Sequence, residues 1–361
     1  MTPTNLPKNP KIGAAQIRLL ERLTNACSVS GDEGELRSIV LELVRPAVDE
    51  VRVDALGNVL ATKRGQGEGR PKVLLVAHMD EVGFIITHDD NEGFFRFETV
   101  GGADVRYLAG KPVWVGKEHI PGIIGSKPVH LTTLEERRQP ISVDSLRIDV
   151  GPGNGSKVKP GDRATFATSF TRLGPSLRAK ALDDRLGVAT LLELVTHAPQ
   201  NIDLLAAFTV QEEVGLRGAG VAAYTLDPDL AIVLDSTPAH DLPSWDGSEN
   251  TRYDARLGAG PAIYVADRAT LSDPRLVRHL VETAEKAGIP YQIRQPGGGG
   301  TDAGAVHKQR AGIPSVSVSV PARYNHTPAA ICRLSDWKNT LALVYAALLG
   351  LDGKGWKVEG V

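Results

Sequence analysis

Apolar positions that recur every three or four residues predict two helices in the first part of the chain. Both lie within residues 16–44, and a polar stretch at residues 28–34 separates them. Two short strands are then predicted on either side of Gly57-Asn58, a dipeptide typical of a turn between strands. The chain therefore begins as a mixed sequence of helices and strands.

Continuous apolar runs alternate with helical patterns in the rest of the chain, which is typical of a parallel sheet buried on both faces. The runs predict strands at residues 72–77, 203–210, 230–234 and 315–320. Helical patterns occur at residues 184–197, 219–224, 273–287 and 334–349. We therefore predict an α/β fold class, with a mostly parallel-sheet domain covered by helices on both faces.

Between residues 87 and 171 the pattern changes to short β-like runs separated by glycine, proline and aspartate. Because long helical periodicity is absent from these residues, we predict a small all-β insertion domain there. The α/β domain, in which the site residues named below lie, would then consist of residues 1–86 and 172–361.

The composition is typical of a globular protein and argues against several functions. Of the 361 residues, 42% are hydrophobic and 23% are charged, and the formal net charge is −2. This balance gives no reason to expect nucleic acid or an anionic membrane as a partner. The apolar stretch at residues 341–351 is too short to span a bilayer. With no recognisable secretory signal, Cys27 and Cys332 are predicted to be reduced thiols in a cytoplasmic protein.

Histidine and acidic residues occur where several of these segments end. Sites in open α/β sheets form beyond the carboxyl ends of the strands, so residues remote in sequence can converge at one edge. The candidates are His78, Asp183, Glu212, Glu213, Asp235 and His326.

The residue types indicate two divalent metal ions. Imidazole nitrogen and carboxylate oxygen are ligands for zinc-like ions. His78 and His326 would each bind one ion, Glu213 and Asp235 would each add a carboxylate, and Asp183 would bridge the two. Three carboxylates and a bridging hydroxide would balance the four positive charges. Zinc, cobalt or manganese would suit these ligands.

Two further carboxylates are predicted to act beside the metal ligands. Asp80 lies two residues beyond His78 and would hold the imidazole in its metal-binding tautomer. Glu212 is adjacent to the proposed ligand Glu213 and would act as general base. It would take a proton from the attacking water and deliver it to the leaving amine.

Six motifs resemble those of the glutamyl aminopeptidase family, which are dinuclear metallo-aminopeptidases and include the tetrahedral aminopeptidases. The motifs are HMDEVGF (78–84), KALDDRLG (180–187), QEEVGLRGA (211–219), LDS (234–236), GGTDA (299–303) and RYNHTP (323–328). They keep the family's order, and the resemblance extends from about residue 20 to about residue 350. One departure is Ala330, at a position that is often acidic in the family.

The resemblance implies a metal-dependent aminopeptidase that removes N-terminal residues from peptides, with a bridging water activated by the two ions and a glutamate base. It implies one ion on His78, Asp183 and Asp235 and a second on Asp183, Glu213 and His326, with Glu212 as the base and Asp80 as the supporting carboxylate. It also implies that the insertion is a PDZ-like dimerisation domain, and that dimers of the homo-oligomer assemble into hollow tetrahedral dodecamers.

Two other functions remain open at this point. A dinuclear deacylase or amidohydrolase on N-acyl substrates would use the same ligands, and a non-catalytic assembly protein would retain the fold. Asp184 is interpreted as a carboxylate in the first turn of a helix. Asp302 is expected beside the site without a defined role, and His240 and His307 are reserve ligand candidates.

Overall fold

The computed structural model describes residues 9–244, 246–248, 255–294, 297–352 and 356. Residues 1–8, part of the segment in which no secretory signal is recognised, lie outside the described residues. The described α-helices are α1 (Ala14–Asn25), α2 (Gly34–Val44), α3 (Leu182–Thr196), α4 (Arg217–Leu226), α5 (Pro274–Ala287), α6 (Ala303–Val306) and α7 (Leu334–Leu349).

The strands divide between a large sheet and a barrel. Those of the sheet are β1 (Glu50–Val53), β2 (Val59–Lys63), β3 (Lys72–His78), β10 (Thr171–Leu173), β11 (Ser176–Ala179), β12 (Asp203–Thr209), β13 (Leu230–Pro238), β14 (Ala262–Tyr264), β15 (Gln292–Arg294), β16 (Ser315–Arg323) and β17 (Ala330–Arg333). Those of the barrel are β4 (Gly83–Asp89), β5 (Phe94–Val100), β6 (Pro112–Val115), β7 (Ile120–Gly125), β8 (Arg147–Asp149) and β9 (Arg163–Phe166).

The large sheet has a parallel centre. Its strand order is β1-β2-β12-β3-β13-β16-β17-β11-β10, and β12, β3, β13 and β16 are parallel to one another. Alternate residues of β3 pack into different cores: Val73 and Leu75 join one apolar cluster, while Leu74 and Val76 join another. Helices therefore cover both faces of the sheet, which explains why these strands are continuous apolar runs.

The sheet is mixed, so the prediction of a mostly parallel sheet describes only its centre. β2 pairs antiparallel with β12 at one side, and β17 pairs antiparallel with β16 at the other. The outer strands β1, β10 and β11 are also antiparallel to their neighbours. These outer strands are short and partly exposed, so they lack the long apolar runs from which the parallel centre is predicted.

The insertion is a closed six-stranded barrel in the order β4-β5-β8-β7-β6-β9. Its core contains Phe84, whose ring centroid lies 5.2 Å from those of Phe97 and Phe166 in edge-on contacts. The barrel strands begin at Gly83 and end at Phe166. The boundaries at residues 87 and 171, and the PDZ-like character of the insertion, remain predictions.

The barrel begins only five residues after the end of β3, because His78 closes that strand and Gly83 opens β4. This short connection brings one rim of the barrel close to the carboxyl ends of the central strands. Among the described residues, none of the helices is both long and apolar enough to cross a membrane. The cytoplasmic location stays a prediction.

Candidate metal centre

Buried acidic and imidazole side chains meet at the carboxyl ends of the parallel strands. His78 is the last residue of β3, and Asp235 lies within β13. Strand β3 lies between β12 and β13 in the sheet. Glu212 and Glu213 follow β12 in the loop that leads to α4. The parallel topology thus delivers these residues to one edge, as expected for an open α/β sheet.

Asp183 lies between the two predicted histidine ligands. Its Oδ1 is 3.2 Å from Nε2 of His78, and its Oδ2 is 3.4 Å from Nε2 of His326. One carboxylate therefore faces both imidazoles, each through a different oxygen.

The remaining two predicted ligands complete a group on each side of Asp183. Nε2 of His78 lies 3.9 Å from Oδ1 of Asp235, and Nε2 of His326 lies 3.4 Å from Oε2 of Glu213. The structure thus brings all five predicted ligands together, in two groups that share Asp183.

Local backbone geometry at the site departs from regular structure. Ala181 and His326 adopt left-handed conformations, with φ of 51° and 59°, which few residues other than glycine adopt. Asp183 has φ −82° and ψ 109° and is joined to Asp184 by a cis peptide bond. Asp183 therefore precedes the regular helical turns of α3 rather than opening them.

Asp80 contacts other parts of the site besides His78, its predicted partner. Nδ1 of His78 lies 3.1 Å from the backbone carbonyl oxygen of Asp80 and 3.5 Å from its carboxylate. The carboxylate accepts hydrogen bonds from the backbone N–H groups of Glu212 and Glu213 at 2.9 and 3.1 Å, and from the hydroxyl of Ser30 at 2.6 Å. Asp80 thus connects His78 to the loop that carries both glutamates.

Burial, and then the neighbouring charges, govern the ionisation of these groups. Burial, reinforced by Asp183 and Asp184, raises the pKa of Asp235 well above its usual range. Burial also raises the pKa of Glu213 to about 7, although His326 opposes the shift. Burial disfavours ionised Asp183, but its hydrogen bonds to His326 and His78 outweigh this effect and hold the pKa of Asp183 below its usual value.

The pKa values of the two histidines are also raised, which for an imidazole favours the charged form. Burial lowers the pKa of His326, but its hydrogen bond to Asp183 and the charge of Glu213 raise it to a net value of about 9. Neighbouring carboxylates likewise outweigh the burial of His78 and raise its pKa well above the ordinary value. Both imidazoles are therefore held where positive charge is strongly favoured.

The donor set fits divalent cations. In the part of the chain that the structure describes, the ion pairs of Asp183, Glu213 and Asp235 are with His78 and His326, and none is with lysine or arginine. Buried carboxylates need a compensating positive charge, because desolvation of an isolated ion is costly. Mixed imidazole and carboxylate donors suit zinc-like ions.

Asp184 is more than a carboxylate at the start of a helix. It is fully buried, and its carboxylate accepts hydrogen bonds from the backbone N–H groups of Gly187 at 2.8 Å and His78 at 3.3 Å. One of its oxygens also lies within 4.8 Å of ligand atoms of His78 and Asp235. Because two amides already bind this carboxylate, Asp183 is the better candidate for the shared ligand.

Asn325 is a contributor that the sequence did not single out. Its Nδ2 donates to Asp183 at 3.2 Å and to the hydroxyl of Ser236 at 2.6 Å. The side chain thus holds Asp183 from the turn that also carries His326. Its place directly before His326 in the RYNHTP motif was the available signal.

The sequence also offered Asp302, His240 and His307 as candidates, and these three residues lie in different places. Asp302 is buried beside the site and accepts a hydrogen bond from Thr209, and burial raises its pKa to about 6. A ring nitrogen of His307 lies 2.7 Å from the carbonyl of Ala303. Neither His240 nor His307 belongs to a metal-ligating group among the described residues.

The barrel closes over one side of this centre. A Cβ atom on Gly102 would lie 2.9 Å from Nδ1 of His326, and one on Gly101 would lie 3.2 Å from Cβ of Glu213. A small cavity of about 10 Å³ between Asp183, Glu213 and His326 has room for about one water molecule. A larger cleft of about 510 Å³ lies elsewhere, between the barrel and α2. We place the candidate centre beside the smaller space because three of the five proposed ligands line it.

A family model and a relative of known sequence both match most of this chain. The family model of the M42 glutamyl aminopeptidases matches residues 57–343. The lysyl aminopeptidase of Pyrococcus furiosus is 31% identical over 91% of this chain and 96% of its own length.

Solved structures agree over nearly the whole chain. An aminopeptidase from the archaeon Desulfurococcus kamchatkensis aligns with a TM-score of 0.89 and 34% identity, covering 96% of this chain and 98% of that chain. The TET1 peptidase of Pyrococcus horikoshii, which can assemble into a tetrahedron or a large octahedral shell, aligns with a TM-score of 0.81 and 33% identity, covering 93% of this chain and 100% of that one. The chain therefore belongs to the M42 glutamyl aminopeptidase family.

Proposed function

We propose that this protein is a dinuclear metal-dependent aminopeptidase that removes N-terminal residues from peptides. Membership of the family supports a hydrolase that acts on peptides. The observation that carries the dinuclear proposal is the position of Asp183, whose two carboxylate oxygens face His78 and His326 separately. A carboxylate in that position suits a bridge between two cations.

In this proposal each ion has one imidazole and one carboxylate besides the shared aspartate. His78, Asp183 and Asp235 would hold one ion, and Asp183, Glu213 and His326 would hold the other. When bound, the cations would polarise the scissile carbonyl and lower the pKa of the attacking water. Zinc or cobalt fits these ligands best, and manganese is a third candidate.

Glu212 would act as the general base and then as the acid. Its side chain is only 9% exposed, and burial raises its pKa well above the ordinary value, although the charge of His78 opposes this. A carboxylate with a raised pKa is suited to accept a proton from water and return it to the leaving amine. The hydrogen bonds from Glu212 and Glu213 to Asp80 would position the base relative to the ligands.

We also propose that the chain forms a homo-oligomer through its insertion. The segment between β7 and β8 exposes apolar side chains at Val129, Leu131, Leu134 and Ile141. Such a group of exposed apolar residues favours a protein interface. The TET1 peptidase, which can assemble into a tetrahedron or a large octahedral shell, supports self-association of this chain. We propose a dimer as the building block, as the resemblance to the family implies. Light scattering after size-exclusion chromatography would give the number of subunits.

Hydrolysis of short peptides would test the enzymatic proposal. Each peptide is offered with a free and with an N-acetylated amino terminus, after reconstitution of the protein with zinc or cobalt. Cleavage of the free peptides alone, abolished by a chelator, is expected. Cleavage of only the acetylated peptides would favour a deacylase. No cleavage of either kind of peptide, with metal bound to the protein, would favour a non-catalytic assembly protein.

A further inference from the structure

A second group of metal-ligating side chains lies where the barrel meets the α/β domain, apart from the candidate metal centre. Cys27 follows α1, Glu35 lies in the first turn of α2, and His119 lies in the turn between β6 and β7. One ligand atom of each residue lies within 4.8 Å of those of the other two. We call these three residues the junction cluster.

Glu35 connects the other two members. Its Oε2 lies 2.9 Å from Nε2 of His119 and accepts a hydrogen bond from the backbone N–H of Cys27 at 3.2 Å. The His119 ring also lies near the Trp114 indole, with centroids 6.4 Å apart. The thiol, the carboxylate and the imidazole therefore come from three separate segments of the chain.

A cleft gives solvent access to all three ligands. Its volume is about 510 Å³, and its lining includes the three members of the junction cluster together with Lys117 and Arg163. An ion can enter through this cleft, and a water molecule has room to complete a four-coordinate site.

We propose that the junction cluster is a third divalent-metal site, suited to Zn²⁺ or Co²⁺, and that the bound ion ties the barrel to the α/β domain. Thiolate and imidazole ligands favour such ions over Mg²⁺, which prefers oxygen ligands. One thiolate and one carboxylate balance the charge of a divalent ion beside a neutral imidazole. Water from the cleft is the fourth ligand.

Binding exchanges the thiol proton of Cys27 for the metal ion and releases that proton to water. Burial raises the pKa of this thiol to about 12, while the charge of Lys180 lowers it and those of Glu81 and Glu35 raise it. The thiol is thus protonated at neutral pH, so the apparent affinity for the ion rises with pH, by at most about tenfold per pH unit from this proton.

Sulfur distinguishes this site from the candidate metal centre, whose proposed ligands are nitrogen and oxygen atoms. The other cysteine, Cys332, is fully buried in β17 and belongs to no metal-ligating group among the described residues. A thiolate-to-cobalt charge-transfer band in the near ultraviolet therefore reports on the junction cluster alone. This readout does not depend on the proposed function.

The test is a titration of the metal-free full-length protein with Co²⁺. We expect the band to saturate at one thiolate-bound cobalt per chain in wild type and to be absent in Cys27→Ser. His119→Asn removes the imidazole ligand and should weaken cobalt binding at least tenfold. His130→Asn changes an exposed histidine elsewhere on the barrel and should leave the titration unchanged.

A second measurement follows the thiol itself. Zn²⁺ should slow the reaction of Cys27 with a thiol reagent, whereas Mg²⁺ should not. The proposal is wrong if folded wild-type protein gives no charge-transfer band with Co²⁺, or if the band persists in Cys27→Ser. The catalytically impaired variant Glu212→Gln should keep the band, so loss of peptide hydrolysis and loss of this site remain distinguishable.

Discussion

Two groups of charged side chains lie beside each other and have two segments of the chain in common. In the first, both carboxylate oxygens of Glu81 accept from the Lys180 ammonium at 2.8 and 2.9 Å, and Arg185 approaches Oε1 at 3.2 Å. In the second, the candidate metal centre, the ion pairs that Asp183, Glu213 and Asp235 form among the described residues are with two histidines. One group contains its own cations, and the other has a surplus of acidic side chains.

The remaining donors of the first group are also satisfied within the protein. Lys180 donates to the carbonyl oxygen of Ala26 at 2.7 Å, and Arg185 donates to carbonyl oxygens of Leu23, Met79 and Asp80 at 2.7–3.1 Å. A buried ionic group that is complete in this way holds loops together. A buried group that lacks cations requires them from outside, which is what distinguishes a metal site from a structural ion pair.

Glu212→Gln should have the largest effect, and it should fall on catalysis alone. An amide cannot accept the proton of the attacking water, so kcat should fall by about 10²–10⁴-fold. Metal content and thermal stability should stay near those of wild type. Peptide hydrolysis and metal analysis would check this, with Glu118→Gln on the barrel as the control. Full activity in Glu212→Gln would remove Glu212 from the proposed mechanism.

Glu81→Gln should mainly reduce stability. The substitution leaves the buried Lys180 and Arg185 without their carboxylate, and breaking a buried ion pair costs about 3–5 kcal/mol. Denaturant unfolding would measure the loss. Glu42→Gln breaks an exposed pair with Arg22 and should produce no measurable change. Equal stability of Glu81→Gln and wild type would contradict a structural role for the group formed by Glu81, Lys180 and Arg185.

Asn325→Ala should weaken metal binding without removing a proposed ligand. It removes the amide that holds Asp183, and loss of a group that orients a ligand typically lowers metal affinity 10–100-fold. Competition with a chelator would measure the affinity. Thr327→Ala changes a hydroxyl in the same turn that is not bonded to Asp183, and it serves as the matched control. Unchanged affinity would show that Asn325 does not position the aspartate.

Asp235→Asn should have the smallest effect. Whether it raises or lowers stability directly tests the difference between the two groups of charged side chains. In metal-free protein the substitution removes a carboxyl group whose ionised form is disfavoured by burial and by repulsion from Asp183 and Asp184. It should therefore raise the free energy of unfolding by about 1 kcal/mol. With metal present, loss of a ligand should lower stability instead. Thermal unfolding with and without zinc would reveal the reversal. Destabilisation in both conditions would mean that the charge of Asp235 is already compensated within the protein.

Regular elements with strong patterns could be predicted well. The C-terminal helix predicted at residues 334–349 is confirmed by α7, and the apolar runs correspond to the central strands β3, β12, β13 and β16. The short strands β10, β11, β14, β15 and β17 were not predicted, because three or four residues carry too little periodicity. The junction cluster was also missed, since its members come from three segments without a shared motif.

The sequence by itself determined the parallel centre of the sheet and the residue types that follow its strands. Burial on both faces imposes continuous apolar runs, and the acidic and imidazole residues stand out where the runs end. Only the tertiary structure decided which of two adjacent acidic residues contacts the candidate metal centre and which joins the buried ion pairs. Asp80 bonds the loop of Glu212, while the next residue, Glu81, bonds Lys180. Successive residues of an extended chain point to opposite sides, and what lies on each side depends on segments about one hundred residues away.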